Sequence, residues 1–243
     1  SIPGSSSAFG AGVKKRFARG FYQVDAGVKK SADTYNYLSF KYNTEVSRRV
    51  GMELLVDTGA RADESVYLLV GGYKDRIGLL TRYALLDSTQ LSLYLENADF
   101  YSDDGKDIGS GISGRLDASY LQRSAYPDIS ITPYYSFGDY TQSDGDRGVI
   151  EDMLNFPDTN VLSDDFWYTG VELSYGMENR YNYVRVWRPF FSINPYYNGR
   201  ESQFNYGFSA GLGGEVFGQD NLALVVDYSQ SVGGTDDTLW RTY

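Results

Sequence analysis

The feature that most limits what this chain can fold into is an alternation of apolar and polar residues with a period of two, repeated from end to end. From Phe204, the residues Phe204, Tyr206, Phe208, Ala210 and Leu212 interleave with Asn205, Gly207, Ser209, Gly211 and Gly213. Trp167, Thr169, Val171, Leu173 and Tyr175 interleave in the same way with Tyr168, Gly170, Glu172, Ser174 and Gly176. The stretches around Ile112–Tyr120, Ile129–Gly138 and Leu222–Ser229 repeat the pattern. Successive side chains of a strand point to opposite faces, so each stretch is a ribbon with one apolar face and one small or polar face. No stretch keeps a helical period for long.

Fourteen strands are expected, near 6–16, 20–30, 34–44, 49–59, 64–73, 76–86, 89–101, 109–122, 127–141, 165–176, 181–196, 202–216, 220–232 and 237–243. Several exceed the usual globular strand and suit a tilted membrane crossing of roughly 9–11 residues. Connections read as short turns, at Lys74-Asp75, Gly176–Asn179 and Gly218–Asp220, or as acidic loops at Ser102–Asp107 and Gly233–Asp237. Short and long connections do not alternate cleanly between Arg61 and Asp104, so a strand there is expected to be split or merged. The last strand is expected to be cut short, and bacterial barrels use even strand numbers, which sets the range at fourteen to sixteen. The connection from about Ser143 to Asp164 is too long for a hairpin. Two readings of it stand: Met153-Leu154-Asn155-Phe156-Pro157 folds inward as a plug or constriction, or the segment is a surface loop.

Soluble sandwiches and propellers alternate too, with the apolar face as core. Here the polar face is rich in Gly, Ser and Ala rather than in the Lys, Glu and Thr of solvated strands. Aromatics also crowd the ends of the apolar rows, as in Phe100-Tyr101, Phe166-Trp167-Tyr168 and Pro195-Tyr196-Tyr197. Aromatic girdles of that kind mark a lipid-facing barrel. The mean hydropathy of −0.41 excludes membrane-spanning helices, which need about 20 apolar residues in a row. It does not exclude strands that are apolar on one face only. The expected fold is therefore all-β: a transmembrane antiparallel up-and-down β-barrel, one domain over residues 1–243, in the outer membrane of a Gram-negative bacterium.

On this reading the polar rows line a lumen, and they carry Asp25, Lys29, Lys41, Glu53, Asp57, Arg82, Glu96, Arg115, Asp117, Glu172, Arg185 and Asp227. Opposed charges across a strand pair contribute about 0.2–1 kcal/mol, so ladders holding the wall together are one account of them. The net charge of −10 gathers instead in the connections, above all at Asp144, Asp146, Glu151, Asp152, Asp158, Asp164 and Asp165 against Arg147. An acidic mouth of this kind concentrates cations. Tyr67, Tyr94, Tyr134 and Tyr168 fall on the expected inner rows and are candidates for stacking against sugar rings.

Zero histidines and zero cysteines rule out a Ser-His-Asp triad, a thiol nucleophile, an imidazole-held zinc and a disulfide. The acidic balance argues against nucleic acid. No carboxylate pair sits in apolar surroundings of the sort that tune a glycosidase. Asp103-Asp104-Gly105 and Asp144-Gly145-Asp146 lack the later glutamate of a calcium loop. No enzyme, metal site or cofactor is expected.

Arg61-Ala62-Asp63-Glu64-Ser65, followed by Gly71-Gly72-Tyr73-Lys74-Asp75-Arg76, resembles the barrel of the PelB exopolysaccharide export family. Tyr126-Pro127-Asp128-Ile129-Ser130-Ile131 and Gly233-Gly234-Thr235-Asp236-Asp237 with Trp240-Arg241 are similar to it as well. The resemblance implies the C-terminal barrel of a longer protein, whose helical-repeat scaffold is not in this sequence. It implies export of a biofilm polysaccharide bearing some positive charge, with a periplasmic lipoprotein ring similar to PelC and the export machinery as partners. The alternative is a general diffusion or substrate-specific porin, which should show clustered arginines on an inward loop.

Overall fold

A computed structural model describes residues 7–30, 34–153, 160–176, 186–215, 221–230 and 236–242. Among the described residues, thirteen strands form one antiparallel sheet in which every strand neighbours the next in sequence. In order they are β1 (Ser7–Phe17), β2 (Gly20–Lys30), β3 (Thr34–Glu45), β4 (Val50–Arg61), β5 (Gly72–Leu86), β6 (Thr89–Ser102), β7 (Asp107–Arg123), β8 (Ile129–Gln142), β9 (Phe166–Tyr175), β10 (Arg188–Asn198), β11 (Gln203–Glu215), β12 (Asn221–Gln230) and β13 (Asp236–Thr242). A helix α1 (Val66–Gly71) precedes β5, and a 3-10 turn spans Gly148–Met153. The chain forms two compact units: residues 1–83, 92–115 and 137–166, and residues 84–91, 116–136 and 167–243.

Burial follows the alternation and inverts the usual sense of a soluble protein. On β11, Phe204, Tyr206, Phe208 and Leu212 are exposed, whereas Asn205 and Ser209 are buried. On β6, Leu93 and Leu95 face out while Glu96 is buried. Phe9, Val24, Ile77, Leu116, Ile131 and Ile193 continue the exposed apolar rows on other strands. A sheet that exposes its large aliphatic and aromatic side chains and shelters its charges is stable only where the surroundings are themselves apolar.

The segment expected as a strand over 64–73 is instead the loop and helix α1, and Lys74-Asp75, expected as a turn, lies inside β5. The physical reason is local. Val66-Tyr67-Leu68-Leu69-Val70 is apolar at consecutive positions and so fits neither face of a two-faced strand. Ser65 caps the helix, its side chain accepting from the Leu68 amide at 3.2 Å. This removes the irregularity between Arg61 and Asp104. The strand expected from 181 begins at Arg188, residues 177–185 lying outside those described.

Helix α1 and the described residues of the 143–165 connection both fold onto the sheltered face. Leu68, Ile150, Val161 and Leu162 pack with Ala62, Ala98, Phe100 and Ile108 in one buried cluster, flanked by Tyr67 and Tyr140. Gly109, at φ 145°, breaks the alternation of β7 so that Ile108 joins this cluster while Ile112 stays exposed. The described residues of the long connection that flank the expected plug motif, Ile150, Val161 and Leu162, are buried in this cluster. Residues 154–159, which include most of the expected plug motif, lie outside the described residues.

Candidate functional site

The sheltered face of the first unit is organised around a cluster of ion pairs on β4, β5 and β6. Lys74 and Arg76 stand two residues apart on β5, so both point to the same side. Lys74 Nζ reaches Glu96 at 2.7 Å and Glu64 at 2.5 Å. Arg76 bonds Asp57 at 2.7 Å and Glu96 at 3.1 Å, and the Tyr94 hydroxyl donates to Glu96. Lys74, Glu96 and Asp57 are buried. A buried charge that loses its partner is strongly destabilising, so each member depends on the others. The register places Asp57 opposite Arg76 just before a bulge between Asp57 and Ala60. Gly59, at φ +66°, forms that bulge, and its amide donates to Asp75 at 2.8 Å.

The candidates from the sequence divide accordingly. Asp57, Glu96 and Tyr94 meet in this cluster, joined by Lys74, Arg76 and Glu64, which the sequence reading did not single out. For Lys74 and Arg76 the signal was available in retrospect, charges repeating at i and i+2 inside a strand; Glu64, on the segment before α1, carries none. Glu53 lies apart on β4, paired with Lys41 at 2.7 Å and accepting from Asn43 at 3.1 Å. Arg115 and Asp117 sit half-buried on one row of β7, and Glu172 and Asp227 on β9 and β12. Arg185 lies outside the described residues. Tyr67, expected on a strand row, is on α1 against the buried cluster.

Asp144, Asp146, Glu151 and Asp152 are exposed on the long connection. Asp146 pairs with Lys106 at 2.9 Å. The Gly148 amide and then Lys106 hold the Asp146 carboxyl below the usual carboxylate range. The connection is pinned at several points. Gln142 accepts from the Val161 and Leu162 amides at 2.6 and 3.3 Å, the Ser163 hydroxyl donates to the Glu64 carbonyl, and Asp104 accepts from the Val149 amide at 3.3 Å.

The second unit presents a different surface. Tyr134 of β8 leans across Gly170 of β9 so that its hydroxyl reaches the Asn194 side chain of β10 at 3.0 Å. A Cβ on Gly170 would stand 2.8 Å from that hydroxyl and 2.7 Å from the Tyr196 Cβ, so glycine is required for the crossing. Tyr168 meets Tyr196 edge to face with centroids 5.8 Å apart. On the opposite face, the exposed Trp167 and Phe204 flank the half-buried Tyr197.

An antiparallel meander with strands of up to 17 residues, apolar outside and charged within, defines an outer-membrane β-barrel. The chain matches, over residues 1–243, the family described as PelB, C-terminal beta barrel domain, and belongs to that family. In fold it is similar to the crystal structure of OccAB4 from Acinetobacter baumannii, with a TM-score of 0.52 and 12% identity. The alignment covers 98% of this chain and 65% of that one, so the chain spans less than two thirds of that protein's length. No curated protein matches the sequence.

Proposed function

We propose that this barrel is the outer-membrane channel through which a biofilm exopolysaccharide of the Pel type leaves the cell. The observation that carries the reading is the inverted burial within each unit: Leu, Phe and Ile are exposed on one face of the sheet, while Asp57, Lys74 and Glu96 in the first unit and Asn205 and Ser209 in the second are buried on the other. Polar sheltered faces of this kind suit a hydrated conduit, and hydroxyls and amides suit the passage of sugars. The connections at one end of the first unit carry Asp63, Asp104, Asp144, Asp146, Glu151 and Asp152 against Lys106 and Arg147, while the turns at the opposite end of β1–β4 carry Arg19, Arg48 and Arg49. Long connections of outer-membrane barrels face the exterior, which would set an acidic mouth outside. That mouth would draw forward a polymer bearing amino groups. Tyr94, Tyr134 and Tyr168 would offer ring faces along the way.

The inward connection would act as the constriction, and a periplasmic lipoprotein ring similar to PelC would deliver the polymer from below. Planar-bilayer recording with the purified barrel tests the reading. Current blocked by a cationic glucosamine oligomer, more strongly from the side of the long connections, supports it. Free passage of small solutes with indifference to the oligomer would replace it with a diffusion porin.

A further inference from the structure

We infer that the sheltered wall formed by β8, β9, β10 and β11 holds a binding site for an uncharged sugar unit, built on Tyr196 and Asn205. The inference rests on the export reading and adds to it a place and a ligand chemistry. The cluster in the first unit is ionic throughout, and every carboxylate there is tied to a lysine or arginine. The wall of the second unit is made largely of phenol rings, amides, hydroxyls and glycine, with two carboxylates at its edges: Glu172, two residues from Gly170 on the same row of β9, and Asp227 of β12, which pairs with Ser209. Tyr196 pairs with Gly170 on one side and with Asn205 on the other. Its ring therefore stands between a bare stretch of backbone and an amide.

Asn205 is 5% exposed and its Nδ2 has no partner among the described residues; Ser209, two pairs along β11, is 8% exposed and its hydroxyl has none either. Buried donors of this kind are normally satisfied, so two on one row point to a polar guest. A pyranose ring matches the arrangement. Its C–H face lies against a tyrosine ring, and its hydroxyls accept from an amide such as Asn205. The Tyr134–Asn194 bond fixes the neighbouring rings, so the surface is already shaped.

The test is titration of the detergent-solubilised barrel with a neutral N-acetylglucosamine pentamer, followed by saturation-transfer NMR and calorimetry. The expected result is binding insensitive to salt, weakened about tenfold by Asn205→Asp and by Tyr196→Leu, and unchanged by Lys30→Met at the exposed end of β2. Asn205→Asp keeps the side-chain shape, so it decides the matter should Tyr196→Leu fail to fold. Absence of binding to the unaltered barrel, or equal affinity in folded Asn205→Asp, overturns the site, the buried donors then being met by water. Neither of these results touches the bilayer block by the cationic oligomer, and loss of that block leaves this titration standing.

Discussion

Replacing Ile150 by alanine is the most direct way to ask whether the inward connection closes anything. Ile150 is fully buried against Leu68, Val161 and Leu162. Trimming a fully packed aliphatic side chain to alanine costs about 2–5 kcal/mol. The loss falls on the docking of the loop, because Ile150 belongs to the connection and not to a strand. At about 1.4 kcal/mol per tenfold, the ratio of docked to undocked loop should fall by about thirtyfold to several thousandfold. Two readouts follow the same equilibrium. The Val161 and Leu162 amides, held by Gln142, should exchange with solvent faster by that factor, since exchange reports local opening. Bilayer recordings should show longer or more frequent open periods. Faster exchange with unchanged current would mean that the loop packs inward without obstructing the path. Unchanged exchange in a folded variant would refute the assignment of Ile150 to the docking contact.

Other perturbations probe the remaining parts. Leu79→Arg, on the exposed row at the middle of β5, should destabilise the barrel in lipid by about 2–4 kcal/mol, whereas Ser113→Arg on the sheltered row of β7 should cost much less; equal thermal stability of the two would undo the face assignment. Ser163→Ala should loosen the connection, seen as faster exchange at Leu162, because its hydroxyl bonds the Glu64 carbonyl, while leaving strand exchange alone; Glu96→Gln should weaken the wall itself, because Lys74 and Arg76 both lose a charged partner. The Asp146 carboxyl lies below its ordinary value of 3.8. A depressed value means that its hold on Gly148 is fully present above the unfolded value and is lost as pH falls through the folded one. Exchange at the Gly148 amide should therefore follow its intrinsic rate from neutrality to about pH 4 and rise relative to it only below; Asp146→Asn should abolish that extra rise.

The strands were legible because lipid and water impose opposite demands on adjacent residues, and Phe204–Gly213 or Trp167–Gly176 meet both demands in turn. The same rule hid α1. An unbroken run such as Val66–Val70 could be a strand buried on both faces, and alternation is silent about what such a run does. What it lacked was a polar partner row, and that lack is what makes a helix folded against other apolar groups the better solution. The ion cluster was half legible. Asp57 and Glu96 stand on polar rows, but their connection depends on Lys74 and Arg76 lying within β5, and this follows only once the turn expected at Lys74-Asp75 is seen to be strand. Tyr196 and Asn205 are neighbours only through the pairing of β10 with β11, a register that no short stretch of sequence states.

The packed apolar cluster of the first unit and its buried ions belong to one device. Lys74 is shared between Glu96 on the wall and Glu64 on the segment leading into α1, and the Ser163 hydroxyl bonds the backbone of that same Glu64. Were Lys74 bound to Glu64 alone, lifting the loop would strand a buried ammonium, at a penalty that would lock the connection in place. Because Glu96 remains, the lysine keeps a charge-assisted bond at 2.7 Å when Glu64 departs. Glu64 meanwhile moves towards water, where a carboxylate is well solvated. What resists undocking is then chiefly the aliphatic contact of Leu68 with Ile150, Val161 and Leu162. Contacts of that kind are short-ranged and non-directional, so they can be broken and remade without leaving any charge unpaired.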